Sequence, residues 1–441
     1  MGEDKRRYHT ITNILQYNLI PDFFTIFAII ILIVKIFIKK DYFSLNTYIL
    51  LGVYFPLIMS HFNWSFLHMD NKPNIFYIYF IIFDIISIYF AMLPQKNFEF
   101  SNFTIVKLKK RVPIEIYNVI YLIFISIENI YASGYIFPSL HGIDVHTVRM
   151  PYIYFFTTAI YFFTFMNLME FFSTKKKKYL LYIGLLIGFN IITKSSRIDA
   201  FMCIIQLLSL VLLYYFSNKK EGITYKEEIK KKKNRKYIIL VSIVFVILVM
   251  FFGMNVGINR MNSNGKYNLK YSDGIGYTGP EFGNGILSYY YGYFPLSFDN
   301  LAYNMKNANI KPNYVGLCSF RTLFFGILQF DNLFGLDGGA ASRANIIRSK
   351  AAAVATGFWD FYYDYKEFFF IPLIISFTLY YFLKNKLSVN KRNILSLAIY
   401  FYWIPLWMFL SFDNRIYDYQ VLAHIILMAL IIPKRYKLLS N

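Results

Sequence analysis

The chain has 441 residues, of which 57% are hydrophobic, 21% aromatic and only 16% charged, with a formal charge of +21. A soluble domain of this size has too little interior to hide that much apolar surface, and repeated apolar runs of about 16–22 residues match the thickness of a bilayer core. The positive excess sits in short blocks between those runs, which reads as a topology signal and not as a nucleic-acid stripe.

Eleven apolar runs follow one another along the chain: 22–38, 44–61, 74–94, 114–133, 151–172, 178–193, 198–216, 237–256, 367–383, 393–411 and 417–433. The 40 Tyr and 48 Phe suit walls that are apolar toward lipid and polar toward a cavity or the headgroup layer. The opening MGEDKRRYHTITNIL lacks the small-residue cleavage site of a secretory leader, and the residues after Gly2 do not form a lipidation signal. The predicted fold class is an all-α polytopic membrane protein of about eleven transmembrane helices with one large external loop.

Lys and Arg set the orientation. Most of the 46 lie at Lys39 and Lys40, Lys96, Lys107 to Arg111, Lys175 to Lys178, the block 218–236, Lys384 to Arg392, and Lys434 to Lys437. The alternate short connections are nearly bare, carrying Lys72, Arg149, Lys194 with Arg197, and Arg415. The positive-inside rule makes the first set cytoplasmic, with the C-terminus inside and the N-terminus outside. Lys5, Arg6 and Arg7 run against that rule; the alternative is an interfacial helix over 10–21 and a displaced first span. Residues 1–256 then form a bundle of about eight spans, 257–366 an extracytoplasmic loop with short helices, and 367–441 a bundle of about three.

The loop differs in character. NRMNSNGKYNLKYSDGIGYTGPEFGNG is rich in Gly, Asn, Ser and Asp, and a connection this long is uncommon without a function. No repeat of 20–50 residues is present, which excludes a solenoid. Cys203 falls in an apolar run and Cys318 in the loop, and no CxxC, HExxH or His/Cys cluster occurs, so neither a disulfide nor a metal or other cofactor is expected.

Several polar residues could carry chemistry. In TKSSRIDAF, Arg197 stands between two spans beside Ser195 and Ser196, where a guanidinium can take the phosphates of a lipid head; the alternative is a snorkelling anchor. Arg260, Arg321, Arg343 and Arg348 populate the external loop and could form an anion site together, or be solvated surface charges singly. In VATGFWDFYYDYKE, Asp360 and Asp364 are four apart, so a helix would put both on one face with Thr356. Carboxylates among rings suit a sugar site, and one of them can serve as a general base. They also suit a helix start with an interface belt of aromatics. His141 and His146, in FPSLHGIDVHTVRMP, offer a second type of base. Asp84, Glu128 and Glu170 fall inside or at the edge of apolar runs, where acids are functional candidates.

Three stretches resemble the Wzy-type polymerases of O-antigen and capsular repeat units: Ser196-Arg197 opening a span, YTGPEFGNGILSYYYGYFPLSFDNL in the large loop, and VATGFWDFYYDY. In the last, Lys366 stands where the family pattern has Gly. The resemblance implies a metal-independent, GT-C-like glycosyltransferase in the bacterial cytoplasmic (inner) membrane, acting in capsule or lipopolysaccharide synthesis. It would join repeat units linked to undecaprenyl pyrophosphate on the outer side, with inversion. Its partners would be the lipid-linked donor and acceptor, membrane lipids, a chain-length regulator and a flippase, with no nucleic acid. Under that resemblance Arg197 leads in stabilising the departing pyrophosphate, with Arg260, Arg321 and Arg348 behind it. Asp364 is the first candidate base, with Asp360 and His141 as rivals, and Tyr277, Tyr291 and Trp359 are stacking candidates. An O-antigen ligase and a lipid-linked oligosaccharide flippase or other transporter are the alternative readings.

The topology has a direct check. With Cys203 and Cys318 replaced by Ser, a membrane-impermeant maleimide should label Ser263→Cys in intact cells, and should label Thr224→Cys only after permeabilisation.

Overall fold

Apolar runs bounded by polar, Pro and Gly residues yield a mostly helical protein. A computed structural model describes residues 2–39, 41–94, 103–108, 112–138, 156–194, 197–217, 271–280, 285–310, 314, 316, 348, 356–387, 393–413, 416 and 419–440. Helices occupy ten of the eleven apolar runs: α1 (Gly2–Lys39), α2 (Leu45–Met59), α3 (Asn74–Met92), α4 (Ile114–Ser133), α5 (Ile160–Thr174), α6 (Lys178–Lys194), α7 (Arg197–Ser217), α12 (Phe370–Lys386), α13 (Ile394–Trp403, continued as a 3-10 turn over Ile404–Phe409) and α14 (Tyr419–Arg435). The run 237–256 lies outside the described residues. Between α7 and α12 come α8 (Tyr271–Gly274), α9 (Ile286–Tyr293), α10 (Pro295–Asn307) and α11 (Phe358–Tyr365).

Among the described residues, three helical segments are long and apolar enough to cross a bilayer: Pro21–Lys39 within α1, then α3 and α4. Phe358–Phe368 and Phe370–Lys386 pass the same test as a pair, bent by 114°. The apolar segments Leu45–Met59, Lys178–Thr193, Met202–Leu212 and Ile394–Phe409 are shorter. The chain groups into two compact units that cut across its linear order. The first gathers Met1–Gln95, Gly257–Tyr381 and Trp407–Tyr417; the second gathers Lys96–Val256, Phe382–Leu406 and Asp418–Asn441.

In the first unit, α1 buries Ala28, Leu32 and Ile36, one residue per turn, and exposes Phe23, Phe27, Ile30, Val34 and Phe37. An outward face of Phe, Ile and Val suits lipid rather than water. The fully buried Asp84 of α3 ties three helices together. It accepts hydrogen bonds from Thr25 of α1 at 2.9 Å and from the Tyr54 hydroxyl of α2 at 2.7 Å. The middle of α2, Leu50–Tyr54, widens into a π turn. Gly52 lies in it, and a Cβ there would collide with the backbone of Met408. Glycine is what lets the two chain segments approach.

The second unit contains a two-stranded sheet, β1 (Phe103–Lys107) against β2 (Tyr436–Ser440), antiparallel with Ile105 opposite Leu438. FTIVK carries three β-branched residues in a row, which suits a strand, within what the Lys and Arg bias marks as a basic connection. Below it, Glu170 has no exposed surface and receives Arg435 through Nε at 3.0 Å and Lys107 through Nζ at 3.0 Å. The Arg435 Nη1 also donates to the Val112 carbonyl at 2.5 Å. Polar pairs recur within this unit. Asn118 and Asn167 exchange hydrogen bonds of 3.2 and 2.9 Å, Thr157 donates to Glu128, and the Tyr402 hydroxyl lies 2.5 Å from His424 Nδ1. Such pairs join apolar helices where neither partner has water to turn to.

Two glycines separate close approach from mere flexibility. Nothing lies within 4 Å of a Cβ built at Gly188. Gly188→Ala should therefore hold or raise the thermal unfolding midpoint of the purified protein, since Ala is the better helix former by about 1 kcal/mol. Gly52→Ala should lower it.

Candidate functional site

The connection between α2 and α3 is pinned to the segment around α8 by backbone geometry. Ser65 forms a β-bridge with Tyr277, and its hydroxyl donates to the Ile275 carbonyl at 2.5 Å. Thr278 N–H donates to the Trp64 carbonyl at 2.9 Å, and the Tyr291 hydroxyl donates to the Phe62 carbonyl at 2.6 Å. An aromatic cluster results, with Trp64 at 4.9 Å from Phe62, 5.6 Å from Tyr291 and 6.1 Å from Tyr277 between ring centroids. A Cβ at Gly279 would fall 2.7 Å from the Trp64 ring, so only glycine fits beside it. Burial pushes the Tyr291 hydroxyl well above the usual phenol range, which keeps it a neutral donor.

A polar hub lies on α10. Pro295 starts this helix, where a fixed φ and a missing N–H cost nothing. Asp299 follows with no exposed surface. One carboxylate oxygen accepts from Lys72 Nζ at 3.0 Å and from Met69 N–H at 3.3 Å. The other lies 3.5 Å from His68 Nδ1, whose Nε2 is 3.6 Å from Asp70. Tyr303, one turn beyond Asp299 on the same face, carries the Arg348 guanidinium 4.8 Å from its ring centroid. Burial pulls the Arg348 basicity down, with Asp299 and Tyr303 opposing that pull. The Arg348 Nη1 is buried and has no hydrogen-bond partner among the described residues.

The stretch Val354 to Glu367 begins at the next part of the same unit. Gly357 N–H donates to the Leu410 carbonyl at 2.8 Å, and the Tyr79 hydroxyl donates to the Phe358 carbonyl at 3.3 Å. The α11 helix is short and almost wholly interior. Trp359 and Asp364 have no exposed surface, and Asp360 keeps 7%. Thr356 Oγ1 and Trp359 Nε1 are buried without a hydrogen-bond partner among the described residues. Lys366 closes the helix with φ +46°, a conformation L side chains rarely adopt. The chain thus turns here with a lysine in a conformation that favours glycine.

The first unit therefore holds Arg348, Asp360, Asp364, Tyr277, Tyr291 and Trp359 of the sequence candidates. Tyr291 and Trp359 are covered by protein, whereas Tyr277 keeps exposed surface beside Trp64. Arg197 belongs to the second unit as the first residue of α7, and its side chain is outside the description. His141, Arg260 and Arg321 lie outside the described residues. Sequence reasoning passed over His68, Lys72, Asp299 and Tyr303. Lys72 is a rare cation in an otherwise bare connection, and that rarity was the one available signal.

No protein-family model, curated protein or solved structure matches this chain.

Buried ion pairs are costly to halve. Asp299→Ala should lose about 3–5 kcal/mol of stability by leaving Lys72 buried and unpaired. Adding Lys72→Met to Asp299→Ala should recover much of the loss, which a denaturation double-mutant cycle would read.

Proposed function

We propose that this chain is a polysaccharide polymerase of the Wzy type, a glycosyltransferase of about eleven spans and GT-C-like arrangement. It joins undecaprenyl-pyrophosphate-linked oligosaccharide repeat units on the outer side of the bacterial cytoplasmic membrane. A hydroxyl of the acceptor repeat loses its proton to a base as its oxygen attacks the anomeric carbon of the donor chain. The bond from that carbon to the lipid diphosphate breaks, and the electron pair leaves on the diphosphate with inversion at the carbon. Arginines neutralise the departing charge, led by Arg197 with Arg260, Arg321 and Arg348. A carboxylate or histidine serves as the base, from Asp364, Asp360 and His141; the small exposed face of Asp360 supports it over the fully covered Asp364.

One observation carries this reading. Segments that the Lys and Arg bias puts on the outer side are bonded to one another: 62–73 to 275–299 through Ser65, Tyr291 and Lys72, and 357 and 297 to 410–411 through Gly357 and Ser297. They assemble a polar cluster with Lys72 and Arg348 beside Asp299, next to aromatic rings that keep exposed surface at Tyr277 and Trp64. Cations for a leaving diphosphate and rings for sugar faces are what the reaction needs.

The test uses the purified protein in detergent with lipid-linked repeats. A ladder of lengthened chains is the expected product, and Arg197→Lys should reduce it about 100-fold by keeping the charge but losing the fork. A flippase makes no ladder. A ligase makes none either, and its deletion in cells leaves lipid-linked polymer rather than single repeats.

A further inference from the structure

The hub on α10 carries more positive charge than it balances. Its buried acid is Asp299, with no exposed surface, while Asp70 is 81% exposed at the side-chain level and solvated. Lys72, 4% exposed, is held on Asp299 at 3.0 Å. Arg348 adds a second permanent cation over the Tyr303 ring at 4.8 Å. Asp299 Oδ1 is engaged by Lys72 and by the Met69 N–H, whereas Oδ2 makes no hydrogen bond and lies 3.5 Å from His68 Nδ1. A ring face takes up guanidinium charge without supplying an acceptor for its N–H groups. The Arg348 side chain is half-buried and its Nη1 is wholly buried with no partner among the described residues, and His68 Nδ1, facing Asp299 Oδ2, also lacks a hydrogen bond. A charged donor held out of water without an acceptor is strongly unfavourable, so an acceptor bearing negative charge completes the arrangement.

We propose that Arg348, Lys72 and His68 form a binding site for an oxyanion of the phosphate class, with Tyr303 as the shelf for the guanidinium and Asp299 as the anchor that sets Lys72 and His68. Such an anion comes either from a lipid diphosphate headgroup or from free phosphate. The site's use as receiver of the leaving diphosphate rests on the polymerase reading, whereas the anion binding itself does not.

Calorimetric titration of the full chain in detergent at fixed ionic strength tests this, with inorganic pyrophosphate, inorganic phosphate and a polyprenyl diphosphate in micelles as the three probes. The wild type should bind pyrophosphate. Arg348→Gln should weaken that binding at least about tenfold, as expected for a lost charge-assisted pair, and Tyr303→Leu should weaken it less. Should Arg348→Gln fold poorly by its unfolding midpoint, Arg348→Lys takes its place, with an intermediate loss expected. Tighter binding of the polyprenyl diphosphate than of pyrophosphate identifies the headgroup as the source, and equal binding of all three probes identifies free phosphate; both support the site. Binding without chain lengthening supports the site while removing the polymerase reading. Wild-type protein that binds none of the three probes, or an Arg348 variant that binds pyrophosphate as tightly as wild type, overturns the proposal.

Discussion

A carboxylate taken out of water must find donors, and in this chain the donors come from far away in sequence. Asp84, Glu170 and Asp299 all have no exposed surface. Asp84 draws on Thr25 and Tyr54, Glu170 on Lys107 and Arg435, and Asp299 on Lys72 and the Met69 N–H. The apolar faces around these groups pack without direction, because Leu, Ile and Phe contacts are nearly interchangeable. The acids are not interchangeable, since a helix rotated by one residue would strand its carboxylate. They therefore set the rotation and depth of the helices that carry them. Whether such groups also supply net stability is a separate matter, since an apolar replacement of the whole set is often as stable.

The aromatic residues work differently in different places. On α1 they face outward, and Phe23 stacks on Phe27 one turn away. Around Trp64 they pack edge to face and tilted, with the Tyr291 hydroxyl aimed at the Phe62 carbonyl of the facing segment. A ring with one polar tip can close a loop against another without leaving an orphaned hydroxyl. Gly276 and Gly279 make room for that closure, because a side chain at either would strike Phe66 or Trp64. The polar hub on α10 thus shares its unit with a closely packed aromatic cluster.

Helix positions were legible because a bilayer-length apolar run is a local property. The run 114–133 coincides with α4, and 74–94 with α3 to within two residues at one end. The strand pair was not legible. Phe103–Lys107 finds Tyr436–Ser440 near the other end of the chain, and nothing local announces such a partner. The same limit hid the hub, since Lys72 and Asp299 meet across most of the first unit's sequence. Arg348 could be named as a candidate because its residue type alone suits an anion, while Tyr303 and His68 stand beside it only in the fold. Asp360 and Asp364 do fall four apart in α11, but Thr356 precedes that helix, and burial depends on neighbours such as Leu410 and Tyr314 that lie elsewhere in the sequence.

Lys366 shows what a departure from glycine entails. Its backbone sits at φ +46°, between the inward helix Phe358–Tyr365 and the apolar helix Phe370–Lys386, which leaves at 114° to it. A lysine holds that geometry only while its surroundings enforce it; the stack of Phe369 on Tyr79 at 3.6 Å, the Gly357 N–H on the Leu410 carbonyl and the Tyr314 N–H on the Asp364 carbonyl are such enforcement. The elbow is thus a clasp whose closure is shared by segments distant in sequence.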